Sequence, residues 1–134
     1  MNAWSRVLAG VRRALSRNVS QPAGAAAGSV PFETLDAAAP APEVRLVIFC
    51  DAPAATQEVH LFRPLKRLRM SGRCEIAIVT EKSASAGSSA KDFAALYRQF
   101  QPAAIIFSRF GGEQASLAVD GARSEGVPVI THLD

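Results

Sequence analysis

The sequence predicts an α/β fold, an open parallel sheet of about four strands with flanking helices, in the order 2-1-3-4 when the predicted strands are numbered along the chain. Three observations carry that prediction. The stretch VRLVIFCD (44–51) is a short, nearly unbroken apolar run rich in β-branched residues, the pattern of a strand covered on both faces. Three more such runs follow: CEIAIVT (74–80), AAIIFS (103–108) and VPVITHL (127–133). Between successive runs lie segments with helical spacing, and strands alternating with helices build a parallel sheet.

The chain before the first run differs from the rest. In residues 1–20, Trp4, Leu8, Val11 and Leu15 share one helical face, and Arg6, Arg13 and Arg17 fall opposite. This reads as a basic amphipathic helix: a weakly helical tail, a helix docked on another part of the protein, or one lying on an anionic membrane surface. Residues 21–43 are rich in Ala, Pro and Gly with few large side chains, too little apolar area to offset their ordering entropy, and read as a linker in which Val30, Phe32 and Leu35 could touch the domain locally. The α/β domain is then 44–134. In a chain of 134 residues with 49% hydrophobic and 20% charged residues, a globular core of this size can form.

Past the first strand, Leu61, Leu65 and Leu68 make an i, i+4, i+7 face with Phe62 beside it. Pro64 fits only a first turn, so the regular helix is expected to begin near Arg63, with 56–62 as loop or separate turn and Gly72 as the cap. After the second strand, residues 81–89 are small and polar and read as loop. A helix capped by Ser88 or Ser89 then runs to about Phe100, with Phe93, Leu96, Tyr97 and Phe100 on one side, and Pro102 ends it. After the third strand, 109–112 is a glycine-containing turn. Residues 113–124 form the last helix, with Leu117 and Val119 apolar and Gly126 as its stop. The fourth strand is mostly apolar and reads as internal to a sheet.

Charge and cysteines narrow the function classes. The net charge is +3 and the pI about 9.3, but Arg6, Arg12, Arg13 and Arg17 precede the first acid at Glu33. The remainder is near neutral, so no nucleic-acid partner is expected. Cys50 ends the first strand and Cys74 begins the second, at opposite ends of a parallel pair, which argues against a disulfide. Free thiols without an export signal point to the cytoplasm, with residues 1–20 allowing peripheral attachment to the inner membrane.

In such sheets ligands bind past the carboxyl ends of strands. That rule gathers Asp51, Thr80, Glu81, Ser108, Arg109 and His132. Arg109 leads into Phe110, Gly111 and Gly112, whose backbone can approach an anion at the start of the next helix, or which simply form a turn. Asp51 suits sugar hydroxyls, a base or a turn cap. His60 and Arg63 could hold a phosphate or carboxylate. The histidines lack zinc-site spacing, so no metal is expected. No dinucleotide fingerprint, phosphate loop or nucleophile elbow is present.

The segment FSRFGGEQASLAVDGARSEGVPVITHLD resembles part of the N-terminal domain of bacterial glycosyltransferases of the two-domain, GT-B type, in which a strand ends in Ser-Arg and a GVPVI strand runs into His or Asp. VRLVIFCDAP and HLFRPLKRLRMSGRCEIAIVT resemble the same domain's first strand, helix and second strand. The resemblance implies a Rossmann-like domain that shapes the acceptor side in sugar transfer from a nucleotide-sugar donor. Asp51, Arg63, Ser108, Arg109, Gly111, Gly112 and His132 would face the cleft. The donor is a substrate, and no separate cofactor is implied. It also implies a C-terminal donor-binding domain as partner. That domain lies outside 44–134, which reads as truncated, and activity is expected to require it. Two other readings stay open: a non-enzymatic α/β interaction module, including a homo-oligomer, and a small nucleotide-binding domain with 109–112 as anion site.

Overall fold

The computed structural model describes residues 30–36, 42–52 and 54–132, so the amphipathic helix expected at 1–20 lies outside the described residues. The strands are β1 (Glu33–Leu35), β2 (Val44–Cys50), β3 (Cys74–Thr80), β4 (Ala104–Ser108) and β5 (Val129–His132), in the sheet order β1-β3-β2-β4-β5. The β2–β3, β2–β4 and β4–β5 pairs are parallel, and β1–β3 is antiparallel. The architecture is α/β, as expected, but the sheet has five strands and is mixed.

The added strand is the first correction. Residues 30–36 belong to the domain and not to a linker. Val30 and Leu35 are buried, and Thr34 pairs with Ala77 on the outer edge of β3. Val30, ahead of the strand, packs into the core on one face of the sheet and Leu35 into that on the other, and the edge of β3 supplies the pairing. Asp36 then turns the chain at φ 65° and accepts from the Arg69 guanidinium, which also donates to the Phe62 carbonyl at 3.0 Å.

The helical segments are α1 (Ala55–Gln57), a π-helical turn (Glu58–Phe62), α2 (Lys66–Met70), α3 (Glu81–Ala84), α4 (Ala90–Phe100) and α5 (Glu113–Glu125). Pro64 sits between the π-helical turn and α2, where its missing N–H costs nothing. Residues 81–84, expected as loop, instead form the short helix α3, because the Thr80 hydroxyl accepts from the Ser83 amide at 3.2 Å.

Strand alternation divides the core. Val47, Phe49, Ala77, Val79, Ile105 and Phe107 point to one face and are covered by Phe93, Leu96, Tyr97 and Phe100 of α4 and by Ala118 and Ala122 of α5. Ile48, Cys50, Ile76, Ile78 and Ile106 point to the other face, beneath Phe62, Leu61 and Leu65. Leu68, expected to share that apolar face, is instead exposed. Strand β5 is an edge strand among the described residues. Its Val129 and Ile130 are 39% and 50% exposed, which corrects the expectation of an internal position.

Candidate functional site

Strand β2 is the hinge of the topology. The chain leaves it for β3 on one side and later returns to β4 on the other. The carboxyl ends of β2 and β4 therefore flank a switch point, the place where sheets of this kind generally bind ligands. The register places Thr80, Cys50, Ser108 and His132 in one row across this end of the sheet. Residues in register on neighbouring parallel strands share a face, so the row lies on the side covered by α1 and the π-helical turn.

A buried polar chain crosses the switch point. Gln57 of α1 is completely buried, and its Oε1 accepts from the Ala54 amide at 3.0 Å. Its Nε2 donates to the Ser108 hydroxyl at 3.0 Å, at the carboxyl end of β4. The Ser108 Oγ, also fully buried, lies 3.2 Å from His132 Nδ1. The His132 ring is half-buried and meets the His60 ring edge-on, with centroids 5.1 Å apart. Buried amides and hydroxyls without partners are costly, and this arrangement satisfies each in turn.

The sequence-predicted residues divide. Ser108 and His132 are brought into direct contact. Asp51 is exposed just past β2, and its carboxylate accepts from the Ala52 amide at 2.8 Å, a local turn contact. Arg109 adopts φ 54°, the left-handed region, and so bends the chain sharply away from β4. Gly112 takes φ 80° at the start of α5, and open space lies beside both Gly111 and Gly112. Arg63 is exposed between the π-helical turn and α2. Sequence reasoning missed Gln57. The available signal was a lone amide among small residues in the loop just past the first core strand.

Two nucleophiles at this end are disarmed. Ser108 has no exposed surface. Burial, with lesser contributions from the Asp51 and Glu81 charges, pushes the Cys50 thiol up to about 12, so it stays protonated at neutral pH. Among the described residues no group of three or more His, Cys, Asp or Glu is placed to hold a metal ion. Nor is any described helix long and apolar enough to cross a membrane.

No protein-family model, curated protein or solved structure matches the chain.

Proposed function

We propose that this chain contributes the acceptor-side domain of a GT-B-type glycosyltransferase, with the crevice between β2 and β4 receiving the acceptor and a second domain supplying the nucleotide-sugar donor. The observation that carries the reading is the buried Gln57–Ser108–His132 chain at the switch point. Buried polar networks rigidify the groups at their ends, and a rigid imidazole beside a crevice is a recognition element. The resemblance of 107–134 to such domains supports the same reading and supplies its sugar chemistry.

The test is an amide chemical-shift titration of the ¹⁵N-labelled chain with a panel of sugar-bearing acceptors. Saturable shifts clustered at 50–51, 57, 108–112 and 132, abolished in His132→Ala, support the reading. A panel that leaves those residues unmoved refutes it.

A second reading is favoured by β5, an edge strand among the described residues, whose Val129 and Ile130 present apolar surface. In that reading the chain is a non-enzymatic interaction module that pairs through β5. Light scattering after size-exclusion chromatography separates the two. A stable dimer disrupted by Ile130→Lys favours the module, and a monomer at tens of micromolar counts against self-pairing.

A further inference from the structure

We infer that a one-directional chain of hydrogen bonds holds neutral His132 in its Nε2–H tautomer, and that the crevice therefore recognises an anionic oxygen of a phosphate or carboxylate as hydrogen-bond acceptor. The direction is set at a backbone amide. An N–H can only donate, so the Gln57 atom facing Ala54 N at 3.0 Å is Oε1. The Gln57 amide nitrogen is then committed to Ser108 Oγ, and it too can only donate. Ser108 therefore accepts from Gln57, and its own proton needs an acceptor. Full burial withholds solvent from it, and His132 Nδ1 stands 3.2 Å away.

A neutral imidazole carries one N–H. With the Nδ1 lone pair engaged by the Ser108 hydroxyl, that proton sits on Nε2. The ring then offers a ligand its Nε2–H donor and no free lone pair. Toward a ligand at Nε2, His132 in this state donates a hydrogen bond and does not act as a general base. His60, whose ring lies against His132, adds a second imidazole to the same spot. Hydrogen bonds to ionised oxygens are about twice as strong as neutral ones, which favours an oxyanion at the His132 donor.

The inference rests on the switch-point crevice being the ligand site, and it is independent of the sugar chemistry. Long-range ¹H–¹⁵N correlation of the full chain at pH 8 reads the tautomer directly. The expected spectrum has His132 Nδ1 in the unprotonated range and Nε2 in the protonated range. In Ser108→Ala that preference relaxes toward a mixture. An Nδ1-protonated ring in the unsubstituted chain overturns the assignment, whether or not Ser108→Ala folds.

The ligand class is read by titrating sodium phosphate, and separately sodium acetate, against sodium chloride at constant ionic strength. Saturable shifts of the His132 and His60 ring signals with either oxyanion, weakened at least about tenfold in His132→Ala, support the inference. Chloride-like behaviour of both overturns it. Oxyanion binding with no response to any sugar-bearing acceptor keeps this inference and removes the glycosyltransferase reading, so the two fail separately.

Discussion

Cys50 lies in the middle of the sheet's carboxyl-end row, and its thiol illustrates how position decides chemistry. Burial is the main reason it is pushed up to about 12, and the nearby Asp51 and Glu81 charges add to it. At pH 8 the native thiol is then almost wholly protonated. Ellman's reagent should leave Cys50 unmodified in native protein and label both thiols, Cys50 and Cys74, in guanidinium. Rapid native labelling of Cys50 would contradict its placement. The sign of the accompanying pH dependence follows. The folded thiol holds its proton to higher pH than the unfolded one, so its stabilising effect is intact below roughly pH 8.5 and is lost as pH rises toward 12.

Glu75 gives a second case at the amino end of the sheet. Burial raises its carboxyl above the usual range, against a pull downward from Arg45 at 3.8 Å. A raised carboxyl favours the folded state at low pH, and that advantage disappears as pH rises through the folded value. Glu75→Gln should therefore flatten the stability profile above about pH 4.5 and change neutral stability by no more than about 1 kcal/mol, which urea titration at several pH values would measure. At this scale the sequence was informative only in part. Ser108 and His132 were legible because the carboxyl-end rule points to them. Gln57 was not, because only the fold of α1 brings its amide back over β4.

Among the elements, the paired helices α4 and α5 show what periodicity can and cannot say. The apolar stripe Phe93, Leu96, Tyr97 and Phe100 announced α4 and its buried face. The contact made by α5 was less visible, because it uses small residues: Ala118, Gly121 and Ala122 are buried, while Leu117 and Val119 are only partly so. Gly121 is the point of closest approach. A Cβ there would lie 2.8 Å from the Ala90 carbonyl oxygen and 2.9 Å from the Ala94 amide nitrogen, both backbone atoms that cannot swing aside. In an exposed helix Gly→Ala stabilises by up to about 1 kcal/mol. Here overpacking, typically about 1–3 kcal/mol, should reverse the sign. Gly121→Ala is expected to lower the melting temperature by several degrees, whereas Gly111→Ala, with nothing within 4 Å, should leave it nearly unchanged. Equal melting temperatures for the two variants would show that α4 and α5 are not so tightly packed. The strand β1 and the helix α3 were illegible for a related reason. Three- and four-residue elements have no period to detect, and tertiary pairing and one hydroxyl cap create them.

For the whole molecule, the alternation of apolar runs and amphipathic stretches revealed the parallel α/β plan, and the switch point follows from where β2 sits in the sheet. What joins the site to the core is Phe49. It occupies β2 one residue before Cys50, and its ring meets those of Phe93, Tyr97, Phe107 and Phe110 with centroids 5.1–6.5 Å apart. This cluster ties the central strand, α4, β4 and the loop past β4 together, so the crevice rim rests on the main core. Phe→Ala in a packed core costs about 3–5 kcal/mol, and aromatic pairs add to that cost. Domains of this size have only about 5–15 kcal/mol in total. Phe49→Ala should therefore move the urea midpoint far more than any crevice substitution and bring the chain close to its unfolding threshold. Its effect should also reach the crevice. With Phe110 and Phe107 deprived of a shared neighbour, hydrogen exchange in 108–112 should speed up along with that of β2. The conservative change Phe49→Leu should restore much of the midpoint. A Phe49→Ala protein that keeps its urea midpoint and its exchange protection at 108–112 would mean that the site is supported independently of the central aromatic cluster.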